Sequence, residues 1–170
     1  MPTIKFFLSP LRVKALPALA LAFALVAPKA EAVTPSPFRN FMGQWSGSGR
    51  IVASDGHREQ IRCRAEYSGA KDGAALNQAI VCASESFRLD IKSYVEASGD
   101  SVQGTWNEAS RGVSGHLTGR VAENRFEGQI DGGTFTAAVS LTSNGRTQGV
   151  SIRPSGGDIT DVRIELRRRG

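Results

Sequence analysis

From Gly43 onward the chain alternates apolar and polar residues with a period of two, and Gly, Asp and Asn punctuate that alternation at short intervals. This pattern constrains the fold more than any other feature. A strand sends successive side chains to opposite faces, so a period of two buries one face and wets the other. No stretch after residue 42 shows the 3.6-residue apolar period of a helix. The polar face reads Arg62, Arg64, Glu66, then Arg88, Asp90, Lys92, then Arg125, Glu127, Gln129, then Arg163, Glu165, Arg167.

Neighbouring segments can pair antiparallel with apolar residues opposed. A turn at Asp55-Gly56-His57 sets Ile51 opposite Ile61 and Trp45 opposite Tyr67. A turn at Asp72-Gly73 sets Cys63 opposite Cys82 and Ala65 opposite Ile80. A turn near Glu85 pairs Cys82 with Leu89 and Ile80 with Ile91. Further turns pair Val95 with Val102, Trp106 with Val113, and Leu117 with Ile130. The last ones pair Phe126 with Val139 and Val139 with Val150, the latter through Asn144-Gly145, a strong hairpin signal. A looser loop over 154–158 leads to Val162, Ile164 and Leu166.

These pairings predict ten strands joined by short connections: an all-β, up-and-down antiparallel sheet. Ten strands leave long edges unless the sheet closes, so a β-barrel over 43–170 is expected, with a β-sandwich as the competing arrangement. Gly47, Gly49, Gly104, Gly115, Gly119 and Gly128 fall on the inward face. They either let strands bend sharply or leave room inside.

The N-terminus carries a different signal. Lys5, Arg12 and Lys14 precede an Ala- and Leu-rich run over 15–27, and Ala30-Glu31-Ala32 is a small-x-small cleavage site. This is the layout of a secretory leader over 1–32, followed by a lead-in segment over 33–42. The run is too short for a membrane span, which takes about 20 apolar residues, and no later stretch is longer. The reading implies an exported protein, periplasmic or secreted. Cys63 and Cys82, facing each other in an oxidising compartment, are expected to form a disulfide.

The full chain has a net charge of +5, of which the leader's four cations and one carboxylate account for +3. The remaining +2 is scattered, and Arg167-Arg168-Arg169 is the single basic run. Nucleic acid is therefore not an expected partner. His57 sits in a turn and His116 points outward by parity, and neither is paired with a nucleophile or a metal-ligand set. No cofactor and no catalysis are expected. A hydrolase using His57 is the low-ranking alternative, to be revealed by loss of activity in His57→Ala.

Phe41-Met42-Gly43-Gln44-Trp45 resembles the entry to the first strand in the calycin superfamily, the lipocalin-like barrels. There a short helical turn leads into a G-x-W at the closed end, and an arginine of the last strand lies over the tryptophan. The resemblance implies structural roles for Gly43 and Trp45, and Arg168 as the arginine, with Arg167 second. The chain departs from eight-stranded lipocalins in having ten strands and no following helix. The implied group is a ten-stranded bacterial envelope branch. Some ten-stranded relatives hold haem, but haem would need an inward histidine.

The resemblance and the pattern together imply a barrel that binds a small, mostly apolar molecule. The expected pocket wall is Trp45, Ile61, Tyr67 and Ile80; Leu89, Ile91, Trp106 and Leu117; and Phe126, Ile130, Phe135 and Val139. The alternative is an envelope interaction module with a packed barrel and a protein partner.

Overall fold

The computed structural model describes residues 36–170. The leader over 1–32 and the first residues of the lead-in lie outside the described residues. Ten strands follow one another: β1 Gly43–Ala53, β2 Arg58–Ala70, β3 Ala75–Ala83, β4 Arg88–Ser98 and β5 Ser101–Glu108, then β6 Val113–Ala122, β7 Arg125–Asp131, β8 Thr136–Ser143, β9 Thr147–Ser155 and β10 Ile159–Arg168. Each pairs antiparallel with its sequence neighbour, and β1 pairs with β10, so the sheet is a closed barrel. Closure leaves no free sheet edge.

The inward face is the one the alternation marks. Along β2, Ile61, Cys63, Ala65 and Tyr67 are buried, while Arg62, Arg64 and Glu66 between them are exposed. The expected registers of β2–β3, β3–β4 and β6–β7 are those observed: Cys63 faces Cys82, Ile80 faces Ile91, and Leu117 faces Ile130. Cys63 and Cys82 form a disulfide, with Cα atoms 4.1 Å apart.

Elsewhere the register differs from expectation by two residues. Trp45 faces Ala65 rather than Tyr67, and Val95 faces Gly104 rather than Val102. Trp106 faces Gly115 rather than Val113, Phe126 faces Leu141, and Val139 faces Ile152. Turn chemistry decides these cases. At β8–β9, Asn144 opens the turn instead of occupying its centre. Its Oδ1 accepts the N–H groups of Arg146 (2.9 Å) and Thr147 (2.8 Å), so Ser143 pairs with Gln148. At β7–β8 the Asp131 carboxylate accepts the Gly133 N–H at 2.8 Å and opens that turn in the same manner. A shift of two returns every side chain to the same face, so the inward set is unchanged.

The inward glycines serve close approach rather than free space. At Gly115 a Cβ would sit 1.7 Å from the carbonyl oxygen of Asp131 on the neighbouring strand. A side chain there would force the two backbones apart.

Candidate functional site: a barrel closed at one end and open at the other

The N-terminal segment closes one end. Residues 37–41 form a turn in which the N–H groups of Phe41 (2.9 Å) and Met42 (3.2 Å) donate to the Phe38 carbonyl. The turn drives Phe38 and Phe41 into the barrel, where each is 2% exposed. Ser36 ties it to the β2–β3 connection by donating to the Gly73 carbonyl at 2.6 Å, and Ser143 donates to the Asn40 carbonyl at 2.5 Å. The lead-in thus forms the turn that the resemblance implies before Gly43-Gln44-Trp45, and it adds two side chains to the core that the resemblance did not name.

Trp45 lies directly beneath this turn. It is fully buried, and its indole N–H donates to the Phe41 carbonyl at 2.9 Å. The Arg168 guanidinium covers its ring at 4.7 Å from the centroid and also donates to the Gly145 carbonyl. Gly43 makes room for that guanidinium. A Cβ there would stand 2.3 Å from an Arg168 nitrogen, and the residue holds φ at +124°, a value a side chain resists.

Two of the expected wall residues therefore do not line the cavity. Trp45 is consumed by the lid contacts. Tyr67, paired with Gly43, stands at the same end and is 2% exposed. The remaining expected residues line two adjacent chambers that share wall residues. Ile80, Trp106, Leu117, Phe126 and Val139 surround a deep chamber of about 90 Å³, under Phe38 and Phe41. Ile61, Leu89 and Phe135 line a wider cavity of about 760 Å³. Ile91 and Ile130 belong to both, as does Ile152.

The wider cavity opens at the end opposite Trp45, among the β1–β2, β3–β4, β5–β6, β7–β8 and β9–β10 connections. His57, Phe87, Arg111 and Asp158 stand at its mouth. The Arg111 guanidinium lies 4.5 Å from the centre of the Phe87 ring. His116, by contrast, is exposed on the outer face of β6.

Two mouth carboxylates are committed to holding loops. Burial alone would raise the Glu108 carboxyl. The N–H groups of Arg111 (2.8 Å), Asp90 (2.9 Å) and Ser110 (3.0 Å) donate to it, and they hold it below the ordinary carboxylate range. Glu59 accepts the Ser86 N–H at 3.1 Å and the Ser86 hydroxyl at 2.5 Å, joining β2 to the β3–β4 connection. The Ser84 and Ser86 hydroxyls and the Ser86 N–H lower its carboxyl to about 2. Sequence reading passed over both acids, because nothing local marks a carboxylate that will meet a distant loop. Among the described residues, no group of three or more His, Cys, Asp or Glu is placed to hold a metal ion.

No family model matches this sequence, and no curated protein does. Solved structures do match in fold. The crystal structure of Rv2717c from M. tuberculosis superposes with a TM-score of 0.59 at 13% identity, over 79% of this chain and 94% of that one. The S-type phycobiliprotein lyase CPES from Guillardia theta gives 0.54 at 10% identity, over 78% of this chain and 90% of that one. At such identities the likeness is one of architecture, and neither name carries an activity across. In architecture, this chain is a closed, ten-stranded, antiparallel up-and-down barrel with a lipocalin-like fold.

Proposed function

We propose that this protein is a non-catalytic, exported barrel of a bacterial envelope branch that binds a small, mostly apolar molecule in its interior. The observation that carries this reading is the cavity of about 760 Å³, open at one end and walled by Ile61, Leu89, Ile91 and Phe135. Its size and its mix of apolar wall with a few polar rim groups are those of small-molecule sites in general. Binding would follow from burial of apolar surface, at about 25 cal/mol per Å².

Absence of catalysis is part of the proposal. Glu59 and Glu108 spend their oxygens on backbone and serine donors, which leaves them poorly placed as a general acid and base. Export is supported by the leader-like sequence over 1–32 and by the Cys63–Cys82 disulfide, which suits an oxidising compartment.

The test is displacement of an environment-sensitive dye from the purified protein by fatty acyl compounds and neutral lipids, with mass spectrometry of whatever co-purifies from the envelope. Saturable displacement and a co-purifying lipid are expected. A barrel that takes up neither dye nor lipid, and instead cross-links to one stoichiometric partner in cells, would make it an interaction module.

A further inference from the structure

The interior is not uniformly apolar. The observed registers place Tyr67 beside Gln78, Gln78 beside Ser93, and Ser93 beside Trp106, one inward side chain from each of β2 to β5. This is a polar row around part of the wall. Among the described residues lining the deep chamber, Gln78 and Ser93 are the only ones with hydrogen-bonding side chains apart from Trp106. The Trp106 indole N–H is committed to the His116 carbonyl at 3.2 Å.

Gln78 and Ser93 bond to each other, with the Ser93 hydroxyl donating to Gln78 Oε1 at 2.6 Å. Together a carboxamide and a hydroxyl carry three polar hydrogens. One is used in the mutual bond whichever way the amide is turned, so two remain to be donated. Beside them the buried Tyr67 hydroxyl has no partner among the described residues. That hydroxyl lies outside the chamber lining, whereas Gln78 and Ser93 belong to it, and a ligand atom that accepts their two spare hydrogens gains a hydrogen bond made in an apolar interior.

Resting on the pocket reading above, we infer that the ligand enters with a neutral hydrogen-bond acceptor leading, and that the Gln78–Ser93 pair receives it. The chemistry favours a carbonyl oxygen, as in a ketone or an ester, on an elongated apolar body. Among the described residues no Lys, Arg or His lines the deep chamber, so a carboxylate there would be buried with no described counter-charge. The deep chamber is much the smaller of the two, about 90 Å³ against about 760 Å³, so it suits the head of the ligand rather than its body. The apolar body then runs past Ile91 and Ile130 into the wider cavity.

The test compares 2-decanone, decane and decanoate as competitors for a bound dye, using the wild-type chain, Gln78→Leu and Ser93→Ala. The wild type is expected to bind 2-decanone about tenfold more tightly than decane, the effect of one well-made hydrogen bond. Gln78→Leu is expected to abolish that preference while keeping decane binding, which also shows that the variant folds. Ser93→Ala is expected to reduce the preference less, since the carboxamide remains. Equal binding of 2-decanone and decane in wild type and Gln78→Leu would overturn this inference and leave the pocket standing. Tightest binding by decanoate, unchanged in Gln78→Leu, would also overturn it, by placing the polar end at the mouth. Failure of all three to displace the dye would remove the pocket reading itself.

Discussion

The two ends of this barrel are built from the same alternating strands and come out differently. At the closed end, Phe38, Phe41 and Trp45 are almost wholly buried, and the Trp45 ring is held by a hydrogen bond on its edge and a guanidinium on its face. At the open end, Leu89, Ile130, Phe135 and Ile152 face inward yet stay only partly buried. The difference lies in what comes before β1. A single turn supplies two phenylalanines to one end, and among the described residues nothing equivalent fills the other. Apolar patterning therefore defines an interior, and a separate element decides whether that interior is packed or vacant.

The contrast can be broken most forcefully at Trp45. Trp45→Ala should cost about 3–5 kcal/mol, measured by denaturant unfolding, because it removes the largest fully buried side chain of the closed end. If the cost were under about 1 kcal/mol, the closed end would not be the stabilising one.

The disulfide comes next. The double substitution Cys63→Ser with Cys82→Ser should lower stability by about 2–4 kcal/mol, since the bridge closes a loop of sequence separation 19. Thiol titration of the denatured, unreduced protein should find no free thiol.

A smaller effect is expected from Arg168→Ala, about 0.5–2 kcal/mol, with a change in tryptophan emission as the ring loses its cover. Arg168→Lys should recover part of the stability through charge, but not the stacked geometry.

The smallest effect sharpens the view of the open end. The folded-state carboxyl of Glu59 lies at about 2, below its ordinary value of 4.5. A depressed carboxyl adds stability that is complete above the ordinary value and fades as pH falls toward the folded one. The stability difference between wild type and Glu59→Gln should therefore be constant at neutral pH and shrink between about pH 4.5 and 2. A difference that grows on acidification would mean the latch to Ser86 is not formed in solution.

Much of this was legible in the sequence, though unevenly. The β2–β3 pairing could be read directly, because opposed cysteines and a short Asp72-Gly73 connection point to one register. At β4–β5 and β8–β9 the apolar pattern fits two registers equally well, and the choice fell to turn residues. The turn over 37–42 was implied by the resemblance to the calycin entry, but the burial of Phe38 and Phe41 was missed, because a single turn has no apolar period to show which side chains it sends inward. The Gln78–Ser93 pair was missed because a lone polar residue in a strand does not reveal its cross-strand neighbour.

What the sequence determines by itself is parity: which side chains turn inward, and that all the strands share one interior. Parity is local, set by the pleat of a single strand, so a reader of one segment at a time recovers it. Which residues meet across that interior and how the turn before β1 fills one end were decided only by tertiary structure, whereas the Arg168–Trp45 contact was implied by the family resemblance and not by the strand pattern. What tertiary structure decided depends on turn geometry and on contacts between residues more than a hundred positions apart, where no periodicity reaches.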